Sequence, residues 1–234
     1  MSSDPVVIAS YARTPMGGML GNFASVKATE LGAAAVKAAL ERAGITGDVV
    51  DRIYMGCVLP AGLGQAPARQ AALAAGLPRS VQATTVNKMC GSGMQAAILA
   101  TETLLAGGAD VIIAGGMESM SNAPYLLSKH RAGSRLGHDT VKDSMYLDGL
   151  EDAYEEGTLM GVFAENNARK FGFTRADQDA YAVEGLARAK LAIANGLFEE
   201  EIVPVEVKAK TGTQRVAVDE QPGKVNPEKI PTLK

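Results

Sequence analysis

Thr84-Thr85-Val86-Asn87-Lys88-Met89-Cys90-Gly91-Ser92-Gly93 is the stretch that decides how the chain is read. The run before it, Val81 to Val86, is short and β-prone. The run after it, Met94 to Leu105, has the length and composition of a helix. Cys90 therefore falls at a strand-to-helix corner, followed by three small residues. Gly91, Ser92 and Gly93 let the backbone turn sharply and let a substrate come close. A cysteine at a helix N-terminus faces unpaired backbone N–H groups and the positive end of the dipole, and both favour a thiolate. This is the layout of a nucleophile elbow, with sulfur in place of a serine hydroxyl. The competing reading is a buried free cysteine acting as a small hydrophobe.

Working outward, Val6 to Ser10 reads as a first strand. Lys27 to Ala43 reads as a helix with Leu31, Ala34, Ala35, Ala38 and Ala39 on its buried face and Gly44 at its C′ position. Arg52 to Leu59 reads as a strand that carries Cys57 into the core. Pro60 to Gln65 is a loop, and Ala66 to Ala75 is a short helix opened by Pro67. Val111 to Ala114 is apolar throughout and reads as a fully buried strand. Strands and helices in alternation imply an α/β fold with a layered, mostly parallel mixed sheet covered by helices. Strand tips then meet loops at Arg13, Cys90 and Gly115, which places a site at one edge of the sheet. The loop Tyr11 to Asn22 lacks the Gly-Lys-Ser/Thr ending of a phosphate-binding loop and reads as a connection.

Beyond Tyr125 the composition changes. Ser128 to Asp143 is polar and basic, with Lys129, His130, Arg131, Arg135, His138 and Lys142. Met160 to Phe171 reads as a helix. Thr174 caps a longer one, with Asp177 at N3 and a buried face of Ala180, Val183, Ala187, Leu191 and Ala194. Glu201 to Val207 reads as a last strand and Lys208 to Lys234 as an extended polar arm. The expected division is an α/β domain over residues 1–119, carrying Cys90, and a loop-rich α+β insertion over residues 120–234.

Composition narrows the function classes. At 47% hydrophobic and 21% charged, the 234 residues can bury a sizeable core. A net charge of −3, with five Phe, six Tyr and no Trp, gives no reason to expect nucleic acid. Two cysteines without a Cys-x-x-Cys spacing argue against a disulfide framework, zinc or dithiol redox chemistry. Met1 to Pro5 is polar and lacks a signal-peptide apolar region. No apolar run reaches about 18 residues, so no membrane span is expected. A reducing cytoplasm is the expected compartment.

Val86-Asn87-Lys88-Met89-Cys90-Gly91-Ser92-Gly93-Met94-Gln95-Ala96 resembles the acyl-accepting cysteine segment of thiolases. So does Gly115-Gly116-Met117-Glu118-Ser119-Met120-Ser121-Asn122-Ala123-Pro124-Tyr125. Met160-Gly161, Ala164-Glu165-Asn166 and Gln178-Asp179-Ala180-Tyr181 are similar to the same family, most of all to its short-chain acetyl-CoA acetyltransferases. The resemblance runs from Val6 to Lys234. Gly91 sets the chain apart from the related ketosynthases, which carry serines after their cysteine. The resemblance implies a thiolase-type N-terminal domain and acyl transfer through a Cys90 thioester. Coenzyme A and acetyl-CoA would be substrates, with no covalently bound cofactor. It implies a homo-oligomer, dimer or tetramer, with Ser128 to Asp143 as an assembly loop.

The resemblance also assigns site residues. Met160 matches a pocket-lining methionine, and Leu150 a residue near the pantetheine arm. Lys224 falls near a basic position that meets the CoA nucleotide. Where many short-chain thiolases read His-Met-Gly, this chain reads Leu159-Met160-Gly161. The family's second oxyanion donor, its Gly-His-Pro histidine and its second cysteine belong to a C-terminal half that does not occur before Lys234. The sequence thus looks like the front half of a thiolase, inactive alone. Two other functions stay open at this point. One is a cysteine thioester hydrolase in which Cys90 pairs with His130 or His138. The other is a non-catalytic lobe that binds CoA or a partner chain.

Overall fold

The computed structural model describes residues 6–209 and 212–233; Met1 to Pro5, expected to be a polar N-terminus, lie outside the described residues. At its centre is β1 (Arg52–Gly56), which pairs in parallel with β2 (Gln82–Val86) on one side and β3 (Ile112–Gly116) on the other. Gly56 lies opposite both Val86 and Gly116, so the three strands end level with one another.

Strand alternation divides the layers. Ile53, Met55 and Cys57 share one face and pack with α1 (Ala28–Ala43) and α2 (Pro67–Ala74) through Val36, Leu40, Ala68, Ala71 and Ala72. Tyr54 and Gly56 take the other face, against α3 (Ser92–Leu105). There the Tyr54 hydroxyl lies 3.2 Å from Thr103 Oγ1. A Cβ on Gly56 would stand 2.7 Å from Ser92, so only glycine lets α3 press this closely on β1. Burying each large apolar side chain in this core stabilises the fold by about 1.5–3 kcal/mol.

Helix α1 ends where expected, with Gly44 left-handed at φ 67° and its N–H returned to the last turn. Its buried residues differ from the expected face: Ala28, Thr29, Gly32, Ala33, Val36, Ala38 and Leu40 are buried, while Leu31, Ala34, Ala35 and Ala39 are only partly so. The reason is that α1 is covered from two directions. Leu31 and Ala34 pack against Phe23, Val26, Val205, Val207 and Val216. The last three belong to a hairpin of β6 (Val205–Ala209) and β7 (Gly212–Val216). A single-face reading cannot describe a helix with two apolar neighbours.

Three more expectations are corrected. Val6 to Ser10 forms no strand among the described residues: Ile8 is 87% exposed, and pairing occurs only further on, where Arg13 meets Ile202. An apolar run becomes a strand only when a neighbour accepts its backbone groups. Lys208 to Lys234 is not an extended arm, since β7, α6 (Glu220–Lys224) and a 3₁₀ segment Pro227–Thr232 fall within it. Helix α5 (Arg175–Ala194) has its Thr174–Asp177 capping box, but none of its residues is buried. Its partly buried positions include Leu186, Ala189 and Ile193 rather than the expected Ala180, Val183, Ala187, Leu191 and Ala194. Helix α4 (Met160–Phe171) spans the expected residues.

The loop Tyr11 to Asn22 is tied down by charge. Arg13 donates Nε to Glu201 at 2.6 Å and both Nη atoms to Asp219, at 2.7 and 3.0 Å. The Met16 N–H donates to Asp219, and those of Gly18 and Asn22 donate to Glu220, which also pairs with Lys224. Three of its N–H groups, those of Met16, Gly18 and Asn22, therefore serve the protein's own carboxylates, in keeping with a connecting role. The basic segment is closed by a short antiparallel pair of β4 (Tyr125–Leu126) and β5 (Lys142–Asp143). Among the described residues, no helix is long and apolar enough to cross a membrane.

Candidate active site

The turn between β2 and α3 is built by local polar bonds. Asn87 Oδ1 accepts from the Met89 N–H at 3.0 Å. The buried Ser92 hydroxyl donates to Met89 O at 2.6 Å and accepts from the Lys88 N–H at 2.8 Å. Held from both sides, Met89 adopts a left-handed backbone at φ 51°. That conformation is costly for a residue with a Cβ, and such strain is characteristic of functional turns. Cys90 follows it, exposed, one residue before the Gly91 cap of α3. The helix starts two residues earlier than Met94, because Ser92 satisfies the turn with its own hydroxyl.

Cys90 opens on a cavity of about 470 Å³ at the C-terminal ends of the strands. Its lining includes Val58 and Leu59 after β1, Met89 and Cys90 after β2, and Met117 and Glu118 after β3. Gly149 and Leu150 complete it, at the end of a π-type turn Tyr146–Leu150. Gly56, Gly93 and Gly116 also line it.

Cys57 lines the same cavity and is buried where Cys90 is exposed. Burial, then the neighbouring Glu118 carboxylate, pushes its thiol up to about 12. Glu118 accepts the Val58 N–H at 2.7 Å and the Leu59 N–H at 3.1 Å, with Cys57 Sγ at 3.7 Å. Neither Asn87 nor Glu118 stands out in the sequence on chemical grounds. The available signal for Glu118 was one carboxylate directly after an apolar strand, where a charge needs a local partner.

The structure brings Leu150 into the wall beside Cys90. Met160, the first residue of α4, is exposed and does not line this cavity. Lys224 is on α6, paired with Glu220. His130 lies 3.4 Å from Asp139 in the exposed basic loop, and His138 is exposed as well, so neither lines the cavity with Cys90. Arg13 is committed to Asp219 and Glu201 and is likewise outside it. Among the described residues, no cluster of three or more His, Cys, Asp or Glu side chains could hold a metal ion.

Comparison with known proteins agrees with this architecture. A family model described as "Thiolase, N-terminal domain" matches residues 6–234. The chain is 48% identical to an acetyl-CoA acetyltransferase of Schizosaccharomyces pombe, covering 100% of this chain and 60% of that protein. It is 51% identical to acetyl-CoA acetyltransferase 2 of Arabidopsis thaliana, covering 93% and 54%. It is 48% identical to the mitochondrial acetyl-CoA acetyltransferase A of Xenopus laevis, covering 98% and 54%. The chain thus spans little more than half the length of these relatives. On the family match and these identities, the chain belongs to the thiolase family and corresponds to its N-terminal domain.

Proposed function

We propose that the protein transfers acyl groups through a Cys90 thioester, interconverting acetoacetyl-CoA plus CoA with two acetyl-CoA. The observation that carries this reading is an exposed cysteine on a strained turn, opening on a cavity floored by glycines. In the cleavage direction, Cys90 Sγ bonds the keto carbon of acetoacetyl-CoA. The bond between that carbon and the α-carbon breaks, and its electron pair leaves as the enolate of acetyl-CoA, which takes a proton. The thiol of a second CoA then takes the acetyl group and frees Cys90.

The roles of this chain are the nucleophile, one backbone oxyanion donor at Cys90, and part of the CoA wall. Leu150 is assigned to the pantetheine side of the wall. Met160 and Lys224, outside the cavity, are assigned to the outer length of CoA on resemblance alone. The base and the second oxyanion donor are assigned to a C-terminal half, as in the family. We assign assembly to self-association through the exposed basic loop Ser128 to Asp143, and light scattering that gives a monomer at micromolar concentration argues against it. The cytoplasm is the assigned compartment, which cell fractionation checks, because one relative is named mitochondrial.

The test has two parts. Incubation with acetyl-CoA should add an acetyl group to the Cys90 peptide by mass spectrometry, and Cys90→Ser should abolish it. Acetoacetyl-CoA cleavage by the 234-residue chain should be nearly absent. A missing oxyanion donor costs about 10²- to 10³-fold, and a missing base about 10²- to 10⁴-fold. Adding a separately expressed C-terminal half of a relative should raise it. Acetylation elsewhere than Cys90, or near-normal turnover by the chain alone, defeats this assignment of roles.

A further inference from the structure

The cavity holds two thiols, and the proposed reaction uses one. Among the described residues that line it, the titratable ones are Cys57, Cys90 and Glu118. Glu118 reaches both thiols. It faces Cys57 directly, with Sγ 3.7 Å from Oε1. It reaches Cys90 through a chain of bonds. Glu118 Oε2 accepts the Val58 N–H at 2.7 Å, and Val58 O accepts from Asn87 Nδ2 at 3.4 Å. Asn87 Oδ1 in turn accepts the Met89 N–H at 3.0 Å. Met89 is the left-handed residue that precedes Cys90.

We propose that Glu118 is a positioning residue that decides which of the two cavity thiols acts as the nucleophile. It fixes the tip of β1 against the Asn87 turn, and through that turn it sets Cys90. It also sets a negative charge against Cys57, so that a second sulfur in the same wall stays a neutral thiol. Burial raises the Cys57 thiol first, and the charge and hydrogen bond of Glu118 raise it further. Without the charge, Cys57 becomes a competitor for the acyl group. In that exchange Cys57 first gives its proton to solvent. Its Sγ then bonds the acyl carbon, the Cys90 Sγ–carbon bond breaks, and Cys90 leaves as thiolate. The acyl group ends on a sulfur in a residue only 1% exposed, poorly placed for an incoming CoA thiol.

This proposal rests on Cys90 as the acyl acceptor, yet thiol labelling tests it without any acyl-CoA. Wild type, Glu118→Gln and Glu118→Asp are treated with methyl methanethiosulfonate at mildly alkaline pH. Labelling of the Cys57 and Cys90 peptides is followed over time by mass spectrometry, and circular dichroism confirms the fold. Glu118→Gln should raise the Cys57-to-Cys90 labelling ratio several-fold. Glu118→Asp keeps the charge and should stay near the wild-type ratio. A folded Gln variant with an unchanged ratio shows that burial alone silences Cys57 and overturns the proposal. So does an equal rise in both variants, which is what mere loosening would give. Should Glu118→Gln not fold, Asn87→Ala decides: it cuts the connection to the Cys90 turn while Glu118 keeps its charge against Cys57, so Cys90 labelling should slow several-fold and Cys57 labelling should stay at the wild-type rate. Unchanged Cys90 labelling in a folded Asn87→Ala variant overturns the proposal. Failure of the thioester reading looks different, as an unacetylated Cys90 beside a labelling ratio that still responds to Glu118.

Discussion

Strand β1 has five residues, of which three are buried, whereas α5 has 20 residues and none buried. The two elements are stabilised by different physics. β1 is held by ladders on both edges and by helices on both faces, so its stability comes from neighbours distant in sequence. Helix α5 leans mainly on local terms, the Thr174 cap and the i,i+4 ion pairs Arg175–Asp179 and Glu184–Arg188, with Arg175 and Lys190 also donating to backbone carbonyls of the C-terminal segment. A cap contributes about 1 kcal/mol and an exposed pair about 0.3–0.5 kcal/mol. Local terms can be read from sequence; what covers an element cannot.

The largest expected effect is at the centre of β1. Ile53 is 0% exposed between α1, α2 and the neighbouring strands. Ile53→Ala should cost about 2–5 kcal/mol, because the cavity it leaves is walled by ordered backbone and cannot collapse. Urea unfolding followed by circular dichroism measures it. A cost below about 1 kcal/mol would place the core elsewhere and remove the contrast with α5.

A smaller effect should come from acid, at the charge clasp around loop Tyr11 to Asn22. Burial by itself would raise the Asp219 carboxyl, but the Arg13 guanidinium and the Met16 N–H more than offset it and hold it below the usual range. The Glu220 carboxyl is lowered to about 2, first by Lys224 and then by the Gly18 and Asn22 N–H groups. Both are lower folded than unfolded, so their stabilisation is complete above the unfolded values, near pH 4. It is lost as pH falls through the folded ones, down to about 2 for Glu220. Amide exchange at Gly18 and Asn22 should therefore quicken between about pH 4 and 2 relative to amides of β1. Glu220→Gln should remove most of that pH dependence; if it does not, the clasp is not what holds the loop.

The same contrast explains what the sequence made legible. The parallel sheet and the Cys90 corner were readable because apolar runs, glycine stops and a glycine-flanked cysteine are local signals. So were the ends of α1, α4 and α5. The two-sided burial of α1 was not, since it depends on a hairpin about 170 residues further along. The absence of a ladder at Val6 to Ser10 among the described residues was equally hidden, because pairing is decided by a partner and not by the run itself. At the site, Cys90 was visible. The Glu118–Val58–Asn87–Met89 connection was not, because it joins three loops that meet only after the strands are in register.

The smallest expected effect is on α5, and it is the sharpest check on the contrast. Counting apolar positions along the helix puts Leu191 on the packed face, where its loss should cost about 2–5 kcal/mol. The structure instead leaves Leu191 62% exposed. Ile193 is turned toward Val218 and Pro222, beside the aliphatic stem of Lys190. Leu191→Ala removes no buried contact and keeps a strong helix former, so it should change stability by no more than about 0.5 kcal/mol in either direction. Ile193→Ala should cost more, because it uncovers part of a shallow apolar patch that α6 closes. The two variants sit two positions apart on one helix, so helix length cancels between them, and the somewhat larger gain in helix propensity on replacing Ile works against the expected order. Thermal melts of the pair, run side by side, then read which face is covered. If Leu191→Ala proves the costlier of the two, the face expected from the sequence is the packed one. The contrast between a core held by distant neighbours and a helix held by local terms then fails at α5.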